Sequence, residues 1–522
     1  MQTVEGLMRD LEEFTADRLK HGDLPDAGSC MPDPVWGTMY FHPWEVAMIS
    51  TPLLQRLRFV RQTSLAYLAF PAATHSRFEH SLGTATVAER MMSSMNSRHG
   101  QIFDRAGVYA VRLAALMHDV GHTLLSHSGE RIAGKHEVFR QLRQRDARFA
   151  GPGVHELLSY CIVTAAAFRS YFDSLRERYA SVCPELRGLS LDEVAAFIIG
   201  AGEGDRRLLA DIVNGAFDSD KMDYLARDSL LTGVRATHDA TRLFYSLEPV
   251  RIVCEESAGG AYRLFASTDK SVPSRLAVGM GGVAVVEDLL FSKVMIAKSV
   301  HMNPVVRASD VAVKQYFRFL GNNSGDISPG RRFDRPLDFL ERSNDSAVFA
   351  ETQDSQGLRQ MARALQEGRL HKPALVLSRT TCSGLDQLLR FQGEEELLDR
   401  LAFQIYERAI QSCPIHELTM YDVSIDLPRI PSLREASHVV VVLEDGHLTF
   451  LDQIIPIGNW LGSYAAFNWR GMVFAPDGPD SQRLWVARAA RECLEDLVGL
   501  KFNDLCWSEA GLSPEKVMRV TG

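Results

Sequence analysis

The chain has 522 residues, 46% of them hydrophobic and 24% charged, with a formal net charge of -9. That is the profile of a globular protein with a large core, long enough for more than one lobe. It lacks the basic bias of a duplex-binding domain and any apolar run long enough to span a bilayer. The eight scattered cysteines, without a C-x-x-C spacing, read as reduced thiols of a cytoplasmic protein.

Residues 1–30 read as an N-terminal extension: a short acidic, helix-like stretch without a signal-peptide core, then the linker LPDAGSC. Residues 31–320 are expected to form one mainly helical domain. In it, VYAVRLAALMHDV carries apolar residues at helical spacing up to His118-Asp119, and LDEVAAFIIG and DRRLLADIVNGAF follow the same pattern. RIVCEESAGGAYRLFAS predicts a hairpin turning at Ala-Gly-Gly, and VEDLLFSKVMIAKSV a long amphipathic helix. The stretch 320–336, rich in Gly, Asn, Ser and Pro, is the expected linker. Residues 337–522 are expected to form a C-terminal α+β lobe, regulatory or oligomerising. It contains a strand pair, SHVVVVLEDGHLTFLDQI, with Asp-Gly at its turn.

Four short segments concentrate the chemistry: His80 in RFEHSLG, His118-Asp119 in LMHDVGHTLLSH, His155-Glu156, and Asp220 in FDSDKMDYLARD. Imidazole nitrogens and carboxylate oxygens suit one divalent ion such as Mn, Fe, Mg or Zn. His80, His118, Asp119 and Asp220 are therefore read as its ligands, with Asp218 and Asp223 as nearby rivals of Asp220. Adjacent His and Asp cannot share a helix face, so the helix must end or bend there, and Gly121 is expected to allow it. Such an ion would acidify a coordinated water for attack on phosphorus, while cations offset charge on the phosphate oxygens. A leaving alkoxide then needs a proton. His127, His122 and His155 are the candidate donors, with Glu156 as the carboxylate that tunes His155. Arg77, one turn before His80, is a candidate phosphate fork and Lys221 a second cation. Tyr224 can stack on or hydrogen-bond a nucleoside, and Asp228 can bond a sugar hydroxyl or orient the neighbouring Arg227 on a phosphate. Arg56, Arg58 and Arg61 form a basic cluster suited to nucleotide phosphates.

Assembled, these segments resemble the HD-domain deoxynucleoside triphosphate triphosphohydrolases, in particular the sterile-alpha-motif and HD-domain branch and its bacterial relatives. The resemblance rests on DPVWG (33–37), TPLLQRLRFVRQ (51–62), FPAATHSRFEHSLG (70–83), HDVGHTLLSH (118–127), HE (155–156) and FDSDKMDYLARD (217–228). It implies a mainly α fold: an HD-domain helical catalytic core with a smaller mixed α+β C-terminal lobe. It also implies hydrolysis at the α-phosphate to a deoxynucleoside and inorganic triphosphate. On this resemblance His127 is the proton donor, with His122 and His155 around the phosphates, and Arg77 and Lys221 contact the triphosphate. Gln62 and Asp228 bond the sugar 3'-hydroxyl, and Tyr224 lies under the sugar. Gln55 and Arg58 match part of an activator site.

Three departures stand out. His301 stands where the family has a tyrosine at the sugar and phosphate end of the pocket. Ser50 precedes Thr51-Pro52 where the eukaryotic branch has an aspartate reading an activating guanine, which weighs against guanine activation. The stretch between His127 and His155 holds a charged insertion, KHEVFRQLRQRDARFAGPG, expected to be a lid, a subunit contact or a solvated helix and loop. The implied partners are a dNTP, Mg accompanying it, an activating or inhibiting nucleotide, and further copies of the chain in a tetramer or hexamer. No membrane and no strong nucleic-acid footprint are expected. Antiviral depletion of dNTPs is the biological expectation. The rival readings are an HD phosphodiesterase or nucleotidase, including one acting on single-stranded nucleic acid, and a nucleotide sensor that uses the same site for binding.

Overall fold

Three helices frame the molecule, and each is delimited by its own sequence. Helix α2 (Arg77–His99) starts on a capping box in which Ser76 caps the first turn and the Glu79 carboxylate returns to the Ser76 N–H at 2.9 Å, so part of the SRFEH motif is a helix start. Helix α3 (Arg105–Met117) is capped by Asp104, whose Oδ1 accepts the Gly107 N–H at 2.7 Å, and buries most of its length. It ends at His118, and a turn closed by His122 N–H to Asp119 O follows at 2.9 Å. Helix α6 (Ser219–Thr232) is capped by Asp218 and stopped by Gly233 in the left-handed region, φ +72°. Helices α3 and α6 both pack on α2. Helix α1 (Val4–Arg18), in the N-terminal extension, buries Val4, Leu7, Leu11 and Phe14 in the same core. Between α3 and α6 lie the short helix α4 (Ser126–Ala133) and helix α5 (Val154–Thr164). The chain is mainly helical, as expected.

This computed structural model describes all residues except 1, 21–23, 236–238, 257–261, 270–271, 273, 323–332, 343, 347, 352–355, 413–417, 431–432, 434–435, 437, 478–481 and 521–522. The Ala-Gly-Gly turn of the first hairpin and most of the 320–336 linker therefore lie outside the described residues. The strands flanking that turn, β3 (Leu247–Glu256) and β4 (Tyr262–Ala266), pair antiparallel, after a small hairpin of β1 (Ser29–Asp33) and β2 (Gly37–Phe41). Strand β5 (Ser274–Gly279) runs antiparallel to β3. The expected long helix is α7 (Val283–Ile296), continued by a π-helical turn over Ala297–His301 and then by α8 (Pro304–Asn322).

The C-terminal region contains strands β6 (Lys372–Leu377) and β7 (Ser424–Asp426), both paired antiparallel with β10 (Gly471–Ala475). These pack with helices α9 (Glu395–Ser412) and α10 (Gln482–Val498) around a second core. The Asp-Gly hairpin is also present, as β8 (Val440–Val442) and β9 (Leu448–Phe450), with Gly446 at φ +83° in its turn. It does not join the C-terminal sheet. Strand β8 pairs parallel with β5, so one five-stranded sheet in the order β9-β8-β5-β3-β4 takes strands from both sides of the 320–336 segment. Among the described residues no helix is long and apolar enough to cross a membrane.

Candidate active site

His80, on α2, and His118, at the end of α3, face each other with Nε2 atoms 3.2 Å apart. Both Nδ1 atoms are engaged behind them: that of His118 with Ala115 O at 2.7 Å and that of His80 with Asp223 Oδ2 at 2.8 Å. With Nδ1–H donated in each ring, two Nε2 lone pairs oppose one another, beside Asp220 Oδ1 at 3.0 Å and Asp119 Oδ2 at 3.7 Å from His80 Nε2. Only a cation resolves such a donor set. In a metal-free site that role falls to a proton: burial opposes charge on His80, but Asp220 and Asp223 outweigh it and raise its pKa to about 10. The ligating atoms of His80, His118 and Asp119 lie within 4.8 Å of one another and are buried, a group that could hold a metal ion. The structure thus brings together all four residues read as ligands, and the two imidazoles with two carboxylates fit a divalent metal.

The support behind this set was partly missed in the sequence. Asp223, a rival ligand there, lies behind His80 and is gripped by Arg227, whose Nε and Nη2 donate to its two oxygens at 2.9 and 2.8 Å. Arg227 also donates to Asp33 at 2.8 Å. It is buried, so it anchors the ligand shell and does not bind phosphate. Arg56 is likewise turned inward: its guanidinium donates to the carbonyls of His122 (3.0 Å) and Val120, fastening the loop after the His-Asp pair. Gly121 plays a different part from the one expected. Its φ is not positive; a Cβ there would lie 2.1 Å from His155 O and 2.5 Å from Ser159 N. The glycine lets α5 approach the metal loop.

Beside the metal site is a second group: His122, His127, Glu130 and His155. Glu130 accepts from Nδ1 of His127 and Nδ1 of His155, each at 2.9 Å, and from the His155 backbone N–H at 3.1 Å. Burial opposes charge on His155, but Glu130 outweighs it and raises the imidazole to about 9. The His122 ring stacks on His155 at 4.0 Å and 15°. Burial, Arg77 and His155 push His122 well below its ordinary value, so the stack sets a neutral ring on a charged one. Glu156 adds to the rise of His155 through its charge but is not its hydrogen-bond partner: its carboxylate caps α5 through the Gly153 N–H and accepts from Asn214 Nδ2. Consecutive helical residues point about 100° apart, whereas Glu130 sits one turn from His127. That His-x-x-Glu spacing was the available signal.

A cavity of about 980 Å³ opens over both groups. Asp119, Asp220, His127 and His155 line it, as do the other residues proposed for substrate: Gln62, Arg77, Lys221, Tyr224, Asp228 and His301. Arg77 is committed at its base, donating to Asp119 Oδ2 at 2.8 Å and Ser126 Oγ at 2.9 Å. Burial would raise the Asp119 carboxyl, but Arg77, His118 and His80 hold it below the usual carboxylate range. Lys221 Nζ donates to Gly215 O at 2.8 Å and Asp218 Oδ2 at 2.7 Å. Asp228 meets His75 Nε2 at 2.7 Å, and the buried Gln62 Oε1 has no hydrogen-bond partner. Arg148, from the charged insertion, reaches the same wall. Gln55 and Arg58 lie outside the lining, where Arg58 Nε donates to Gln55 Oε1 at 2.7 Å and the guanidinium covers Phe78. Arg61 instead stacks on Tyr67.

A family model described as HD domain matches residues 77–228, the span that carries all four candidate metal ligands, and one described as HD associated region matches residues 261–497. The chain is an HD-domain protein. It is 24% identical over 446 residues to an uncharacterized protein of Methanocaldococcus jannaschii, covering 85% of this chain and 78% of that protein. It is 32% identical over 220 residues to the deoxynucleoside triphosphate triphosphohydrolase SAMHD1 of Gallus gallus, covering 40% of this chain and 35% of that protein. The human protein of the same name is 38% identical over 96 residues, or 18% of this chain and 15% of its own length. The matched part of the chain thus spans well under half the length of these vertebrate relatives. Among solved structures, a hypothetical protein from Aquifex aeolicus superposes with TM-score 0.58 at 22% identity, covering 90% of this chain and all of that one, a likeness of fold.

Proposed function

We propose that this HD hydrolase cleaves deoxynucleoside triphosphates at the α-phosphate, releasing a deoxynucleoside and inorganic triphosphate. The observation that carries the reading is the shared cavity: the carboxylates Asp119 and Asp220, the imidazoles His127 and His155 joined behind by Glu130, and a wall with Gln62, whose Oε1 is unpartnered, all meet at it. The names of the SAMHD1 relatives point the same way. A divalent metal held by His80, His118, Asp119 and Asp220 would supply a Lewis acid for water and for phosphate oxygens. Arg77, Lys221 and protonated His155 attract the triphosphate. His127, oriented through Nδ1 by Glu130, delivers a proton from Nε2 to the leaving 5'-oxygen. Gln62 and Asp228 hydrogen-bond the 3'-hydroxyl, which donates its one proton to one of them, and Tyr224 closes the space a 2'-hydroxyl would need. Control by an activating or inhibiting nucleotide, Mg bound with the nucleotide, and assembly into a tetramer or hexamer belong to the same proposal.

Chromatography of products from all four dNTPs, singly and mixed, with Mg or Mn, tests it. Deoxynucleoside plus triphosphate, absent from a His118→Ala, Asp119→Ala control, is the expected result. No turnover despite bound metal would move the assignment to a phosphodiesterase or a nucleotide sensor.

A further inference from the structure

The corner that delivers Ser126 and His127 to the cavity has an unusual backbone. Leu125 and Ser126 lie in the left-handed region, at φ +57° and +53°, and both are buried. L residues avoid this conformation because Cβ crowds the carbonyl oxygen that follows. Two in succession require support from outside the segment.

The support comes from 220 residues away. Asp345 Oδ1 accepts the Leu125 N–H at 2.6 Å, and its Oδ2 accepts the Arg61 N–H at 2.8 Å. Its own N–H bonds Phe59 O at 3.1 Å. Asp345 is 2% exposed and lies outside the cavity lining. One carboxylate therefore ties the segment leading into Gln62 to the corner leading into His127. Ser126 Oγ closes the circuit on Gln62 O at 3.2 Å. The preceding residue, Leu124, bonds Phe339 O at 3.0 Å, a second tie from the same C-terminal stretch.

We propose that Asp345 is a positioning residue, a backbone clamp that holds His127 and Gln62 in register across the cavity without touching the substrate. The inference rests on the proposed function for its kinetic readout only. Asp345→Asn keeps one acceptor oxygen and presents N–H groups to the other amide, and Asp345→Ala removes both acceptors. The expected result is a fall in kcat of about 100-fold for Asp345→Ala, the scale of a misplacement near 1 Å. Asp345→Asn is expected between that and wild type, with bound Mn unchanged in both.

Residue-resolved deuterium exchange is expected to quicken at Arg61 and Leu124–His127 and to stay slow along α2 and α3. Wild-type kcat in both variants would overturn the clamp. So would a loss of kcat in step with loss of metal and of protection throughout, the sign of a folding role alone. Should Asp345→Ala fail to fold, Asp345→Asn carries the test. A wild-type protein that turns over no dNTP would sink the substrate reading, and exchange at Leu125 then decides alone: selective quickening supports the clamp and unchanged protection overturns it.

Discussion

Two histidine clusters sit side by side in this HD-domain protein, built from the same residue types and wired in opposite ways. Around His80 and His118 the carboxylate Asp223 and the carbonyl of Ala115 stand behind the rings, and the Nε2 atoms converge on a point that needs a cation. Around His127 and His155 the carboxylate Glu130 stands between the rings and satisfies both Nδ1 atoms itself. A hydrogen-bond acceptor behind an imidazole frees its far nitrogen toward a cation, whereas an acid between two imidazoles holds the near nitrogens of both. Composition alone does not separate the two, and side-chain wiring does.

Breaking the first cluster is expected to have the largest effect. Asp119→Ala removes a buried ligand and the partner of Arg77, so metal content by mass spectrometry and turnover should both drop to background. Breaking the second should separate the two: His127→Ala keeps its metal while kcat falls roughly 100- to 10,000-fold, the usual range for a lost general acid. A His127→Ala protein that loses its metal as well would erase the distinction. Asp223→Asn weakens the anchor without touching the metal position, and metal affinity by competition with a chelator is expected to fall roughly 10- to 100-fold. Gly121→Ala drives a methyl against the α5 backbone that backs both clusters, and urea unfolding should show a loss of about 1–3 kcal/mol.

The smallest effect is a matter of pH. His155 is raised to about 9 from an ordinary 6.5, chiefly by Glu130 working against burial. The stability this pairing adds is fully present below pH 6.5 and is lost as pH rises through about 9. The difference in unfolding midpoint between wild type and Glu130→Gln should shrink across that window, and a difference constant with pH would assign Glu130 no hold on the His155 proton.

The His118-Asp119 pair was legible because it is local: the two are adjacent and helical periodicity breaks at them, whereas His80 and Asp220 lie far away in the chain and were read from their motifs. What escaped depends on direction and distance. Glu156 was chosen over Glu130 because it neighbours His155 in sequence, whereas the fold points it at Gly153 and Asn214. Arg56 and Arg227 looked like phosphate ligands and turned out to be internal fasteners, a distinction that only burial makes. Asp345 carried no sequence signal, since its partners are backbone amides far away in the chain.

The parallel pairing of β5 with β8 also bears on how this chain can be made or divided. A protein ending near residue 336 would expose the β5 edge and the apolar side chain of Ala277, which packs against Val440 and Leu448, a template for unwanted pairing. Two separately expressed halves, by contrast, each carry the missing neighbour of the other. Mixed before they aggregate, they are expected to reassemble into a single working particle, which makes this seam the natural place for a split reporter.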